Sequence, residues 1–300
     1  MKARLGIAPI AWSNDDLPEL GGETPLETCL AEARKAGFSG VERGGKFPND
    51  PDRLGPLLEE HRLRLCGGWY SGNLLAGDLE AEKDRVAEQM YMFKALGAPC
   101  LVYGEMAGSI QGARHTPLSR RLRLDEDEIR AYARKVTAFA EWCADEGMPI
   151  AYHHHMAAPI ETEGDLDLLI RQSGEALRLL YDPGHMAFAG GDVLRVIDKH
   201  AARISHFHAK DVRADVIASI DRARESFLDA VLKGAFTVPG DGSLDFGAIV
   251  QRMADNGYEG WFVIEAEQDP AKAPPYEYAC IGHREMARVL KQAGYEIVED

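Results

Sequence analysis

Short apolar runs alternate with longer amphipathic stretches along the whole chain, which is the pattern of repeated βα units. Eight of the runs are short and mainly apolar, as strands covered on both faces of a parallel sheet should be. They are Arg4–Pro9, Gly40–Glu42, Leu63–Trp69, Cys100–Gly104, Pro149–His154, Leu177–Asp182, Ile204–Lys210 and Gly260–Glu265. Eight βα units in 300 residues predict an α/β fold, a (β/α)8 TIM barrel.

The stretches between the strands carry helix boundary signals. A glycine lies two or three residues before the start of several predicted strands, at Gly37, Gly97, Gly147 and Gly257, where it is suited to end a helix. At the first helix, Thr24 before a proline predicts an N-terminal cap. No glycine-rich phosphate-binding motif follows any strand and no linker interrupts the pattern, so we expect one domain over residues 1–300 rather than an open dinucleotide-binding sheet.

The amino-acid composition limits the kinds of molecule that the protein is expected to bind. Acidic residues outnumber basic ones, 49 to 34, and the net charge of −15 disfavours binding to nucleic acid or to anionic membrane surfaces. No apolar stretch reaches the roughly 18 residues that span a bilayer, and no signal peptide is evident. Five widely spaced cysteines favour reduced thiols. We therefore expect a cytoplasmic enzyme for a small molecule, with homo-oligomer formation left open.

Histidines and carboxylates concentrate at the ends of strands five to eight. The segments concerned read YHHH from residue 152, YDPGH from 181, HFHAKD from 206 and IEAE from 264, and they hold six of the ten histidines. In a barrel these ends meet at one face, so the side chains can converge on a divalent ion such as Mn²⁺, Co²⁺ or Zn²⁺. His153 and His155 share one side of their strand, so only one of them need be a ligand.

Other polar or aromatic residues fall where the mouth of a barrel is expected. Glu42, Trp69 and Glu105 follow strands two, three and four, and could bind substrate hydroxyls there. Trp12 lies beside a polar loop and is suited either to cover a polyol or to pack in the core. Lys210, next to the candidate metal site, is expected to have a lowered pKa suited to acid or base chemistry, unless it pairs with Asp211.

Several strings resemble the inosose (2-keto-myo-inositol) dehydratases, a family of xylose-isomerase-like TIM barrels. They include WSNDDLPELGGETPLE near the start, ERGGKFP, GGWYSG, YGEMAGSIQG, YHHHM, HFHAKDVR and FTVPGDGSLDF, and the resemblance covers almost the entire chain. The metal-site strings indicate the broad superfamily, whereas the first and last of these strings are typical of the dehydratases. The resemblance implies Mn²⁺ or Co²⁺ as cofactor. It also links glutathione with the activity, although no residue of the sequence predicts a glutathione site.

The same resemblance implies roles for individual residues. The metal ligands of the superfamily map onto Asp182, His208 and Glu265. The fourth ligand is usually a glutamate at the end of strand five, and this sequence has His153 at that position, so either His153 or His155 is the fourth ligand. His185 resembles the histidine that orients the substrate in the superfamily.

The implied reaction removes water from 2-keto-myo-inositol (scyllo-inosose) and gives a trihydroxycyclohexane-1,2-dione in myo-inositol catabolism. A divalent ion would stabilise the enediolate that forms when the α-proton leaves. A base must take that proton and an acid must protonate the departing hydroxyl. We expect both groups among Lys210, His155 and Glu42, in an order that the sequence does not fix.

Three alternatives remain at this point. A metal-dependent isomerase or epimerase would form the same enediolate but return the proton without losing water. An apurinic-site endonuclease is disfavoured by the net charge of −15 and by the lack of basic loops interleaved with aromatic residues. A polyol-binding barrel without catalytic activity would bind ligand and show no turnover.

Overall fold

The computed structural model describes residues 1–299, and within them eight parallel strands close into a barrel. The strands run in chain order around the barrel, and the last one pairs with β1 to close it. They are β1 (Lys2–Ile7), β2 (Gly40–Arg43), β3 (Arg64–Gly72), β4 (Leu101–Glu105), β5 (Ile150–His153), β6 (Arg178–Tyr181), β7 (Ile204–Ala209) and β10 (Gly260–Ile264). All eight predicted strands are confirmed, with ends that shift by up to three residues, and the predicted TIM barrel is confirmed.

Side chains alternate between the barrel interior and the surrounding helices. On β4, Val102 packs in a small interior cluster with Ala151 of β5 and Leu180 of β6, while their immediate neighbours belong to the large outer core. Two residues after an interior position, the chain again points inward. His153 follows Ala151, and Asp182 follows Leu180, by this spacing. Strand parity therefore directs one polar residue from each of these strands into the mouth of the barrel.

Helices surround the strands, as the alternating pattern predicts. They are α1 (Leu26–Ala36), α2 (Pro51–Glu60), α3 (Leu79–Ala95), α4 (Glu126–Asp145), α5 (Glu163–Gln172), α6 (Pro183–Phe188), α7 (Val193–His200), α8 (Ala214–Ser219), α9 (Phe227–Leu232), α10 (Phe246–Asp255) and α11 (Pro275–Gln292). Gly37 ends α1 in the left-handed conformation, with φ of 110°. The predicted cap at Thr24 is wrong, because α1 begins one residue later with Pro25 at its N-cap and no side-chain cap bond.

Two long connections form the rim at the carboxyl ends of the strands. The first, residues 106–125, contains one 3₁₀ turn, Leu118–Arg120. The second, after β7, is more ordered than its sequence predicts, since it holds α8, α9 and the antiparallel pair β8 (Asp211–Val212) and β9 (Phe236–Thr237). A last short strand, β11 (Glu296–Ile297), pairs with the start of β1. The rim therefore has its own packed structure above the barrel.

The five cysteines are unpaired, as expected. Among residues 1–299, no helix has both the length and the apolar character required to cross a bilayer.

Candidate active site at the barrel mouth

A cleft of about 260 Å³ opens at the carboxyl ends of the strands. Its walls combine acidic, basic and aromatic side chains, including Asp15, Asp16, Glu42, Arg43, Trp69, Ser71, Gln111, His155, His208, Glu265 and Glu267. A small polar molecule fits a cleft of this size. The cleft lies where TIM barrel enzymes bind their substrates.

Four side chains from consecutive strands converge at the floor of this cleft. They are His153, Asp182, His208 and Glu265, and one ligand atom from each lies within 4.8 Å of the others. The shortest of these separations is 3.0 Å, from Nδ1 of His208 to Oε2 of Glu265. Nε2 of His153 lies 3.7 Å from Oδ2 of Asp182. Two atoms that each bind one ion at about 2.1 Å lie roughly 3–4 Å apart, so the spacing suits a divalent cation.

Hydrogen bonds fix which histidine nitrogen faces the centre. Nδ1 of His153 lies 2.6 Å from the carbonyl oxygen of His154, and a carbonyl only accepts, so Nδ1–H donates and Nε2 keeps its lone pair. Nε2 of His208 faces the Glu42 carboxylate at 3.1 and 3.2 Å, which leaves Nδ1 directed at Asp182 and Glu265. Nε2 of His153 therefore presents a lone pair to this point, and Nδ1 of His208 faces the same point from beside Glu265.

Hydrogen bonds do not fully satisfy the atoms at this point. Oδ2 of Asp182, Nδ1 of His208 and Oε2 of Glu265 are buried and make no hydrogen bond of regular geometry, although Oε2 of Glu265 lies close to charged neighbours. Buried polar atoms are rarely left unsatisfied, because each costs about 1–3 kcal/mol. The donor set, two imidazoles and two carboxylates, suits a divalent metal such as Mn²⁺, Co²⁺ or Zn²⁺. These residues can therefore hold a divalent metal ion.

Lys210 lies beside the metal-binding group and is fully buried. Its Nζ is 2.6 Å from Oε2 of Glu267, 2.9 Å from Oε2 of Glu265 and 3.6 Å from Oδ2 of Asp182. Burial by itself favours the neutral amine, but these carboxylates outweigh it and raise the pKa of Lys210. The expected lowering of its pKa is therefore wrong, and so is the pairing with Asp211, whose Oδ1 accepts backbone N–H groups of Val212 and Leu244 instead.

A second cluster, formed by His155, His185 and Glu267, also has the spacing of a metal site. The Lys210 ammonium already lies 2.8 Å from Nε2 of His185 as well as beside Glu267, so a positive charge is present there. The rings of His155 and His185 lie 3.8 Å apart, and Nδ1–H of His155 donates to the Met156 carbonyl at 2.7 Å. Nε2 of His155 keeps a lone pair, and His155 lines the cleft.

The structure thus separates the two histidines that the sequence left as alternatives. It brings His153 together with Asp182, His208 and Glu265, whereas His155 belongs to the second cluster. The intervening His154 is buried against Tyr181, outside both clusters. The chain leaves the β-strand conformation directly after His153, which is why the equal parity of His153 and His155 does not give them equal positions.

Trp69 is the aromatic residue that the structure does bring to the cleft. Its indole N–H donates to Oγ of Ser71 at 3.0 Å, and its ring meets those of His153 and His155 edge-on at 5.8 and 5.9 Å. Gly104 on the adjacent strand makes room for the indole, because a Cβ there would lie 2.0 Å from a ring carbon. Trp69 therefore lies within reach of a bound substrate.

Three residues expected to contact substrate lie elsewhere. Trp12 is 1% exposed in the core, where its ring N–H donates to Oε2 of Glu32 at 2.6 Å. Glu105 accepts hydrogen bonds from the hydroxyl of Tyr103 and from backbone N–H groups, and thereby holds its own loop. His185 is fully buried in the second cluster, under the cleft rather than along it. For Trp12 and Glu105 the expectation is corrected, because local burial and loop hydrogen bonds use their polar groups.

Sequence reasoning missed several residues of the cleft. Glu267 lies two residues after Glu265, and the period of two was the signal that could have identified it. Asp16 and Gln111 come from loops 95 residues apart and approach within 3.4 Å, from Gln111 Nε2 to Asp16 Oδ2. Burial raises the pKa of the Asp16 carboxyl. Arg43, at the end of β2, also lines the cleft. Arg43 directly follows Glu42 at the predicted mouth and Asp16 belongs to the polar loop beside Trp12, whereas no residue pattern in the chain indicated Gln111.

A model of the xylose isomerase-like TIM barrel family matches residues 30–281. The chain is 44% identical over 297 residues to the rhizopine catabolism protein MocC of Rhizobium meliloti, covering 99% of this chain and 91% of that protein. It is 42% identical over 280 residues to the inosose dehydratase of Geobacillus thermodenitrificans, covering 93% and 94% of the two chains. A second inosose dehydratase, from Erwinia tasmaniensis, is 39% identical over 286 residues, covering 94% and 96%.

Solved structures with low sequence identity share the fold. The IolI protein with a bound zinc atom superposes with a TM-score of 0.68 at 15% identity, over 97% of this chain and 99% of that one. An L-ribulose 3-epimerase gives a TM-score of 0.67 at 18% identity, over 97% and 95%. The resemblance drawn from the sequence strings is confirmed, and the chain belongs to the inosose dehydratase family of the xylose isomerase-like TIM barrels.

Proposed function

We propose that the protein is a hydro-lyase of inositol catabolism, an inosose dehydratase that removes one water from 2-keto-myo-inositol. One observation carries the proposal: four potential metal-ligand atoms, two from imidazoles and two from carboxylates, converge at the floor of a polar cleft. The identity of about 40% to curated inosose dehydratases over most of the chain supports the choice of substrate. The five unpaired cysteines fit a reducing cytoplasm.

His153, Asp182, His208 and Glu265 are the proposed metal ligands, with Mn²⁺ or Co²⁺ as the ion and Zn²⁺ as the substitute. When bound, the ion stabilises the negative charge that develops on the ketone oxygen as the α-proton leaves. Trp69, Asp16 and Gln111 are proposed to hold the ring and its hydroxyl groups, since a flat aromatic face and fixed polar groups suit a cyclic polyol.

His155 is the best-placed general base. It lines the cleft, and its Nε2 lone pair is free because Nδ1–H is engaged by Met156. Proton removal from the carbon next to the ketone leaves an enediolate, and the hydroxyl on the following carbon then departs with a proton as water. Lys210 holds ammonium protons beside Glu265 and Glu267 and is the proposed acid, while His185 holds Lys210 in place.

The decisive experiment identifies the product. Protein reconstituted with Mn²⁺ is incubated with 2-keto-myo-inositol, and the product is examined by mass spectrometry, NMR and ultraviolet absorbance. A product lighter by one water, with the absorbance of a dione, supports the proposal. A product of unchanged mass shows an isomerase or epimerase, and bound but unchanged substrate shows a binding protein; either result overturns it.

Control variants make the result specific to the site. Asp182→Asn is expected to abolish turnover, whereas His200→Gln is expected to keep it, because His200 pairs with Asp167 on the outer helices. Glutathione is added in a separate arm, because the family resemblance links it with the activity and no residue of the cleft argues for it.

A further inference from the structure

Glu42 lies inside the barrel, next to the metal-binding group. Its side chain is 5% exposed, and both carboxylate oxygens accept from histidines of β7. His206 Nε2 is 2.9 Å from Oε1, and His208 Nε2 is 3.1 Å from Oε1 and 3.2 Å from Oε2. These two histidines share one face of β7 and lie more than 160 residues from Glu42 in the sequence.

The backbone around Glu42 is shaped to place this carboxylate. The register between β2 and β3 shifts opposite Glu42, because Val41 pairs with Leu65 and Glu42 with Gly67, so that β3 carries one extra residue. Next to that residue, Gly67 has φ of 148°, and a Cβ there would lie 3.1 Å from Oε1 of Glu42 and 3.4 Å from Nε2 of His206. This irregular segment of β3 therefore leaves space for the buried hydrogen-bonded group.

The direction of these hydrogen bonds indicates how Glu42 acts on His208. A carboxylate only accepts, so the Nε2–H groups of His206 and His208 both donate to Glu42. This fixes the plane of the His208 ring with its Nε2–H on Glu42, and it directs Nδ1 at Asp182 and Glu265. Glu42 is therefore the shared acceptor for two histidine N–H groups, one of which belongs to a proposed metal ligand.

We propose that Glu42 and His206 are positioning residues of the metal site: His206 anchors Glu42, and Glu42 orients His208 as a ligand. This removes Glu42 from the group of candidate acids and bases, because its oxygens are occupied by histidine N–H groups. The inference rests on the proposed metal site but not on the loss of water. Replacing a residue that hydrogen-bonds to a metal ligand typically weakens metal binding roughly 10- to 100-fold.

The test measures Co²⁺ binding to the purified protein and to three variants by titration, together with the visible absorbance of the bound Co²⁺. Glu42→Gln and His206→Phe are expected to raise the Kd for Co²⁺ about 10- to 100-fold and to change the visible spectrum. His206→Gln retains a side-chain N–H donor near the position of Nε2 and is expected to restore the affinity to within about 3-fold of the natural protein. His200→Gln removes a histidine–carboxylate pair far from the cleft and should change neither property.

Turnover separates positioning from acid–base catalysis. At saturating Co²⁺, Glu42→Gln should regain most of its kcat, since the excess metal compensates for weaker binding. An unchanged Kd and spectrum in both Glu42→Gln and His206→Phe would overturn the proposal, as would a kcat that stays abolished with the metal bound. If Glu42→Gln does not fold, the two His206 variants decide the question. If the natural protein binds Co²⁺ but does not remove water from the substrate, only the proposed reaction is refuted, and the proposed positioning role of Glu42 and His206 still stands.

Discussion

Lys210→Met tests whether the buried ammonium stabilises the acidic floor of the cleft. Nζ of Lys210 contacts Glu265 and Glu267 within 3.0 Å and lies 3.6 Å from Asp182, and Lys210 is fully buried. Methionine keeps most of the stem and removes the charge, so three buried carboxylates lose their cation. Breaking a buried ion pair from one side costs about 3–5 kcal/mol. With a urea slope of roughly 3 kcal/mol per molar, the midpoint should fall by about 1–2 M.

Added metal should reduce this loss of stability. The ammonium repels a dication bound to Asp182 and Glu265, so Lys210→Met is expected to bind Mn²⁺ at least about 10-fold more tightly. A 10-fold gain corresponds to about 1.4 kcal/mol of extra stabilisation at saturating metal. Urea unfolding followed by circular dichroism, with chelator and then with Mn²⁺, measures both quantities.

A matched lysine provides the control for this experiment. Lys199 also contacts two carboxylates, at 2.7 and 3.1 Å, but its side chain is 41% exposed. Lys199→Met should therefore shift the urea midpoint far less than Lys210→Met does, with or without Mn²⁺. The reasoning fails if Lys210→Met is as stable as Lys199→Met, or if its deficit is the same in chelator and in Mn²⁺.

Three further predictions concern neighbouring residues. His153→Ala should weaken Mn²⁺ binding roughly 100-fold or more, because a metal ligand is lost. His155→Ala should keep the metal and lose turnover. Equal loss of metal affinity in both variants, measured by calorimetry, would refute the separation of the two clusters. Asp16→Ala should lower kcat/KM for 2-keto-myo-inositol about 10- to 100-fold, because a hydrogen bond from the substrate to a charged group is lost. An unchanged kcat/KM in steady-state kinetics would contradict a role of Asp16 in substrate binding. Burial raises the pKa of Asp211 from 3.8 to about 6, so the folded state binds the carboxyl proton of Asp211 more tightly than the unfolded chain does. This tighter proton binding stabilises the fold fully below pH 3.8, and the stabilisation is lost as the pH rises through 6. Asp211→Asn cannot titrate, so its stability relative to the natural protein should rise by about 2 kcal/mol between pH 4 and 7. A stability difference that stays flat with pH, in unfolding measured across this range, would exclude the effect.

The fold could be predicted because its signals are local. Apolar runs, glycine stops and the regular alternation of strand and helix are all visible within a few dozen residues, and the closed parallel barrel follows from their number. The candidate metal residues could also be located, since the ends of parallel strands meet at one face. Asp182, His208 and Glu265 are together in the structure for this reason.

Contacts between distant segments could not be predicted in the same way. The role of Glu42 depends on histidines more than 160 residues away, and the position of Asp16 depends on Gln111 in another loop. Trp12 offered an aromatic face and a polar loop in the sequence, but only the packing against α1 shows that its N–H is used by Glu32. Burial and hydrogen-bond partners of this kind are properties of the folded chain.

The amino-acid sequence alone determined the barrel, the face that carries the chemistry and the residue types that gather there, because strand parity and strand ends follow from a pattern of period two. Only the tertiary structure showed that His153, rather than His155, lies with Asp182, His208 and Glu265, and it placed the Lys210 ammonium beside Glu265 and Glu267. The physical reason is that the face of a strand on which a side chain lies is set by its position in the strand, whereas the charges that surround a buried group come from several strands of the closed barrel.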